Sequence, residues 1–342
     1  MDKLIEIRNL VKEFHGRSLV ARRRSAFRAV DRVSFDIEKN TVFGLVGESG
    51  CGKTTVSRAI LHLDPPTSGE VCFAGTMLEG LSGKELRSYR RRMQIVFQDP
   101  NGALNPKLKV GSSLEEGLIN LGVQKRERLK RVEEMLELVG ISPSHRNRYP
   151  HEFSGGQKQR IVVARALTMQ PDFLVLDEPV SNLDVSIQAQ IINLLLDLKE
   201  RLSLTYLFIS HDLNLVAYLS DRIAVMYKGR IVEMGSTEQI MNQPIHPYTL
   251  RLFSASPTLH GTLESSEKVQ ENEPVVQAAN GCPYAVQCDR RDSSCLEREP
   301  ELRDIGEILW IISKDVERAF AAFNHRRVAF CFNLDMLIRA QF

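Results

Sequence analysis

The chain opens on Met1-Asp2-Lys3-Leu4-Ile5-Glu6-Ile7, where apolar and charged residues alternate in the manner of a strand with one buried face. Beyond it come strand candidates at residues 33–37, 41–46, 94–97, 173–177, 205–210, 222–227 and 230–233, several of them apolar almost throughout. Runs of this kind suit strands covered on both faces. Between them lie stretches whose apolar residues return at helical spacing, at 53–63, 125–139, 155–169, 186–202 and 213–219. Short strands alternating with longer helices predict an α/β fold over residues 1–256, a parallel sheet flanked by helices. Residues 257–280 read as a linker, because from 261 onward they are rich in Glu, Gln, Ser and Asn. The composition changes again over 281–342, which holds four of the six cysteines and reads as a small C-terminal domain.

Length and charge narrow the classes. A chain of 342 residues can bury a large core and add a smaller appendage. A formal net charge of +2 argues against nucleic acid as a partner, and Arg22-Arg23-Arg24 with Arg28 nearby reads as a solvated loop. No apolar run approaches the roughly 20 residues that span a bilayer, and the first residues lack the apolar core of a signal peptide. The expectation is a cytosolic chain whose membrane role comes through partners. In a reducing compartment six cysteines point to metal binding or burial, not to disulfides.

The chemistry begins at Gly47-Glu48-Ser49-Gly50-Cys51-Gly52-Lys53-Thr54, a full G-x-x-x-x-G-K-[ST] loop between a strand and a helix. A glycine-rich turn can fit this pattern by chance, but the flanks are those a phosphate cradle needs. Backbone N–H groups of such a loop turn toward one anion, and the helix N-terminus adds partial positive charge. Lys53 would reach the β- and γ-phosphates, the Thr54 hydroxyl would ligate Mg²⁺, and Thr55 closes the nucleotide-binding stretch. Downstream, Phe173-Leu174-Val175-Leu176-Asp177-Glu178 is an apolar strand ending in two acids. Asp177 would arrive at the sheet's carboxyl edge to hold Mg²⁺, and Glu178, one residue later, would polarise the attacking water as general base. A second cradle-like run, Ser154-Gly155-Gly156-Gln157, precedes another helix, with Ser154 as its N-cap. One nucleotide does not need two cradles in one chain.

This run resembles the signature loop of ABC-type ATPases, which caps the γ-phosphate of ATP held by the opposite subunit. The resemblance covers nearly the whole chain. It implies an ABC-type nucleotide-binding domain with a helical subdomain at about 100–170, and a set of roles in order. Gln98 matches the glutamine that senses metal and γ-phosphate and faces the transmembrane partner, and His211 the histidine that contacts the γ-phosphate. Ser181-Asn182-Leu183-Asp184 matches the loop crossing the dimer interface, with Asn182 in place of the usual alanine, and Phe14 takes the position that stacks on adenine. Taken singly, a Phe, His or Gln would be core or solvated surface. The ordered set outweighs that.

Within these ATPases the chain is similar to the oligopeptide/dipeptide/nickel importer group. Arg28-Ala29-Val30-Asp31-Arg32-Val33-Ser34-Phe35, Leu104-Asn105-Pro106, Asp184-Val185-Ser186-Ile187-Gln188-Ala189-Gln190 and His246-Pro247-Tyr248-Thr249 carry that likeness, and the insertion from about Arg17 to Phe27 is like that of the second ATPase of such importers. Cys282, Cys288, Cys295 and Cys331 follow the spacing C-x5-C-x6-C-x35-C, which resembles the group's cysteine motif. Four thiolates fit a 4Fe–4S cluster or, alternatively, tetrahedral zinc, and the wide spacing favours the cluster. Cys51 and Cys72 read as structural.

The resemblance implies an ATPase that energises a membrane importer of di- or oligopeptides, with nickel complexes, glutathione and oligosaccharides as alternative cargoes. Its partners would be a second ATPase subunit, identical or not, two transmembrane permease subunits and, indirectly, a substrate-binding protein, at the cytoplasmic face of the membrane. A soluble P-loop kinase or GTPase has no use for Ser154–Gln157. A non-transport ABC ATPase usually carries two cassettes or long arms, and a dead scaffold would not retain Lys53, Asp177, Glu178 and His211.

Overall fold

In the computed structural model the described residues are 2–15, 26–254, 281–291, 293–297, 302–304 and 310–312. The arginine run at 22–24, most of the insertion, the linker and Cys331 lie outside them. The chain runs β1 (Lys3–His15), β2 (Ala26–Glu38), β3 (Val42–Val46), α1 (Lys53–Ile60), β4 (Ser68–Phe73), β5 (Thr76–Met77), α2 (Gly83–Arg92), β6 (Met93–Val96), α3 (Pro100–Ala103), α4 (Val110–Asn120), α5 (Lys125–Leu138) and α6 (Gly155–Leu167). It continues with β7 (Phe173–Asp177), α7 (Val185–Leu202), β8 (Thr205–Ser210), α8 (Leu213–Leu219), β9 (Arg222–Tyr227), β10 (Arg230–Ser236), α9 (Thr237–Asn242) and α10 (Pro247–Ser254). After the linker come α11 (Ser293–Glu297), β11 (Leu302–Asp304) and β12 (Trp310–Ile312).

The chain divides into two compact units. One comprises residues 1–10, 34–43 and 54–210. Its core follows from the wholly apolar strands: Phe173, Leu174, Val175 and Leu176 of β7 are all 0% exposed, and each contributes about 1.5–3 kcal/mol by leaving water. β6, β7 and β8 run parallel, with Met93 opposite Phe173 and Phe173 opposite Thr205. The Tyr206 N–H donates to the Thr41 carbonyl, which sets the start of β3 beside β8, and Phe43 stacks on Phe35 with ring centroids 4.6 Å apart. Parallel pairing brings the carboxyl ends of β6 and β7 to one edge, where Gln98 and Asp177 follow.

The same unit holds helices with no plain apolar stripe in sequence. α2, Gly-Lys-Glu-Leu-Arg-Ser-Tyr-Arg-Arg-Arg, buries no residue, and a capping box between Ser82 and Glu85 holds its first turn. α4 contains Gly111 and Gly117, poor helix formers, yet buries Val110, Leu114 and Leu118 four residues apart.

The other unit comprises residues 11–33, 44–53 and 211–342. Here β9 and β10 form an antiparallel pair, β12 pairs with β10 through Glu233 opposite Ile311, and β11 pairs with β12. Buried Asp31 anchors it: burial alone would push its carboxyl up, but Arg230, Arg28 and Arg32 outweigh that and hold it below the usual carboxylate range.

Candidate nucleotide site

The expected phosphate loop lies in the second unit as far as Lys53. β3 delivers a buried Gly47, and Glu48, Ser49 and Gly50 then stand exposed. Gly52 has φ +110, and a Cβ there would lie 2.4 Å from the Ala29 carbonyl oxygen, so both conformation and space require glycine. The loop's backbone is pinned from outside: the Gly229 N–H donates to the Cys51 carbonyl at 2.8 Å, and the Asp31 N–H donates to the Gly229 carbonyl at 2.8 Å. Lys53 is 5% exposed, and its ammonium donates to the carbonyls of Gly47 at 2.6 Å and Glu48 at 3.0 Å. Burial pushes the Cys51 thiol up, as suits a packed side chain.

In the first unit Thr54 opens onto the carboxylates. Its hydroxyl donates to Asp177 Oδ1 at 3.2 Å, and Asp177 is 5% exposed at the end of β7. A hydroxyl and a carboxylate this close form the hard-oxygen pair that suits Mg²⁺. Glu178 takes a left-handed backbone, φ 48, sparsely populated for a residue with a side chain. Its N–H donates to the Ile209 carbonyl at 2.9 Å, which ties the turn to β8. Gln98 donates through Nε2 to Ser181 Oγ at 3.2 Å, and the Ser181 hydroxyl donates to the Glu178 carbonyl at 3.2 Å. Gln98, Ser181 and Glu178 are thus one hydrogen-bonded chain. A groove of about 630 Å³ is lined by Thr54 and Asp177 and by Gln98, Phe97 and Arg165.

Ser154, Gly155 and Gln157 are exposed on the same unit, ahead of α6. Ser154 Oγ accepts from the Gln157 N–H at 3.3 Å, and Gln157 Oε1 accepts from the Ser154 N–H at 3.0 Å, a capping box. A Cβ on Gly156 would lie 2.6 Å from the Ile187 side chain, so this glycine also lets α6 approach α7. Asp184 caps α7 by accepting from the Ile187 N–H at 3.0 Å.

The remaining expected residues fall elsewhere. Phe14 is 42% exposed on β1, with the Lys12 ammonium 5.4 Å from its ring centroid, and His211 is exposed directly after β8. Tyr248 was part of a motif without an assigned role. Its hydroxyl oxygen accepts from the Glu48 N–H at 3.0 Å, inside the phosphate loop.

The cysteine expectation finds no support among the described residues. Among the described residues no three His, Cys, Asp or Glu side chains gather as a metal-holding group. Cys282, Cys288 and Cys295 form no disulfide with one another, and the Cys282 N–H donates to the Cys295 carbonyl at 2.8 Å. Burial pushes the thiols of Cys282 and Cys288 up, and neighbouring cysteines of the same segment push in the same direction. Nothing among the described residues supports a 4Fe–4S cluster or zinc at these cysteines, and Cys331 lies outside them.

Comparison with known proteins agrees with the nucleotide geometry. The ABC transporter family matches residues 30–181, and the oligopeptide/dipeptide transporter C-terminal region matches residues 232–295. The chain is 48% identical over 278 residues to the oligopeptide transport ATP-binding protein OppF of Bacillus subtilis, spanning 80% of this chain and 89% of that one. It is 51% identical over 260 residues to the dipeptide transport ATP-binding protein DppF of Lactococcus lactis, spanning 75% and 82%. A solved ATP-binding cassette, dimeric in a post-hydrolysis state with ADP and Pi bound, is 29% identical with a TM-score of 0.61, over 68% of this chain and 99% of that one. Among the described residues no helix is long and apolar enough to cross a membrane.

Proposed function

Because the chain belongs to the ABC transporter ATP-binding proteins of the oligopeptide/dipeptide type, we propose that it hydrolyses ATP to drive import of di- or oligopeptides through partner permease subunits. The relatives' names favour peptides over nickel complexes, glutathione or oligosaccharides. The observation that carries the chemistry is the buried Asp177 with the Thr54 hydroxyl 3.2 Å away, one residue before Glu178.

In this reading Lys53 and the loop amides bind the β- and γ-phosphates, and Thr54, Asp177 and Gln98 hold Mg²⁺. The metal neutralises charge on the phosphate oxygens when bound. Glu178 takes the proton of the attacking water, and His211 steadies the γ-phosphate. Phe14 stacks on adenine. Two ATPase subunits sandwich two nucleotides, each site completed by Ser154–Gln157 of the other subunit and crossed by its Asp184 loop. A dimeric solved cassette supports that arrangement. Gln98 and its groove face the permease at the cytoplasmic side of the membrane, so closure of the pair is felt by the transmembrane subunits.

The test is Glu178→Gln in the assembled transporter. ATP·Mg binding should persist while phosphate release falls by about 10²–10⁴-fold, the usual worth of a general base. Unchanged phosphate release would place the base elsewhere. Uptake of labelled peptides by cells carrying the transporter tests the cargo.

A further inference from the structure

The motif His246-Pro247-Tyr248-Thr249 has no part in the catalytic roles above, yet one of its side chains reaches the phosphate loop. Tyr248 is 0% exposed, and its hydroxyl oxygen accepts from the Glu48 N–H at 3.0 Å. The Glu48 carbonyl, at the other end of the same residue, accepts from Lys53 Nζ at 3.0 Å and from the Cys51 N–H at 3.3 Å. Glu48 is therefore clamped at both ends of its backbone. An arriving phosphate competes for the Lys53 ammonium, so that end of the clamp is exchangeable. The Tyr248 end is set by a side chain that is itself fully buried.

Tyr248 is itself wedged. Its ring centroid lies 4.6 Å from that of Tyr227 and 5.5 Å from that of Tyr284, and Tyr284 meets Tyr227 edge-on at 5.2 Å. The Tyr248 N–H donates to His246 Nδ1 at 3.1 Å, which fixes the start of α10. Tyr284 is 4% exposed and belongs to the cysteine-bearing segment 281–291. That segment is tied down beside the cluster by Gln287, whose Oε1 accepts from Arg251 at 3.0 Å.

We propose that Tyr248 is a positioning residue for the phosphate loop and that Tyr284 acts through it, so that the cysteine-bearing segment buttresses nucleotide binding without touching the nucleotide. This rests on reading Gly47–Thr54 as the phosphate loop. The role of the tail is then mechanical. Aromatic packing orients the Tyr248 ring, the ring orients the hydroxyl, and the hydroxyl holds the loop in its anion-receiving shape before ATP arrives.

The experiment measures ATP·Mg affinity of the full chain by calorimetry, with thermal melting alongside, for wild type, Tyr248→Phe, Tyr284→Leu, the double variant and Lys53→Ala. Tyr248→Phe keeps the ring and removes one hydrogen bond, so Kd should rise by about 2–10-fold with little change in melting. Tyr284→Leu should weaken ATP in the same direction, because its ring packs on those of Tyr248 and Tyr227. The double variant should fall short of the sum of the two, because Tyr284 acts through Tyr248. KM for ATP should rise in both single variants while kcat of the assembled transporter holds. Wild-type affinity in Tyr248→Phe overturns the anchor, and strict additivity overturns the buttress. If wild type and Lys53→Ala bind ATP equally, the phosphate-loop reading fails and the anchor falls with it.

Discussion

Lys53 shows how one residue can be read from sequence for its role and from structure for its cost. A buried ammonium is expensive unless it is hydrogen-bonded, and here two carbonyls of its own loop meet it at 2.6 and 3.0 Å. Lys53→Ala removes the cation proposed to face the phosphates, so ATP binding should be lost by calorimetry while the fold, held by β3 and the Gly229 contacts, survives in circular dichroism. Retained affinity would contradict the cradle. The residues around Lys53 were legible because a motif fixes their order. Ser181 was named only as part of an interface loop, since nothing local marks a serine that links Gln98 to Glu178. Tyr248 was legible as a motif member and silent as to role, because its partner Glu48 lies 200 positions away in sequence.

At the scale of elements, α6 joins two requirements in four residues. Ser154 and Gln157 cap each other, and Gly156 lets the helix close on Ile187 of α7. Ser154→Arg removes a cap worth about 1 kcal/mol and sets a bulky cation on an exposed loop. The isolated subunit should keep its ATP affinity, while ATP turnover of the assembled transporter should collapse. Loss of ATP binding in the isolated subunit would place this loop in its own site and not in a partner's. The core strands β7 and β8 were plain in sequence because they are buried on both faces and hence uniformly apolar. α2 was not, for it buries nothing and forms on caps alone, and neither was the short pair β4 and β5, which turns back through Ala74 and Gly75 with φ of 48 and 79. Truncating the Leu176 side chain of β7 by Leu176→Ala should cost roughly 2–5 kcal/mol, read by denaturant melts, because that side chain is 0% exposed.

For the whole molecule, two buried titratable groups make stability depend on pH in opposite senses. Burial lowers His246 from its ordinary 6.5 to about 4, so its contribution is present above pH 6.5 and lost as pH falls toward 4. Burial raises the carboxyl of Glu233 from 4.5 to about 7, against the pull of the Ile245 and His246 amides, so its contribution is present below pH 4.5 and lost as pH rises through 7. Between 4.5 and 6.5 the two slopes oppose. His246→Asn removes one of them. On going from pH 7 to pH 5 the variant should gain about 2 kcal/mol relative to wild type, followed as melting temperature at each pH. An equal response of the two proteins would show that His246 titrates normally.

The pairing of Lys53 with its own carbonyls also bears on how a turnover ends. When ADP leaves, the ammonium does not face an empty, dry pocket, because the Gly47 and Glu48 oxygens stand where it can turn to them. Departure of product is therefore an exchange of partners and not the stranding of a charge. A loop that resets itself in this way is ready for the next nucleotide as soon as the last one has gone.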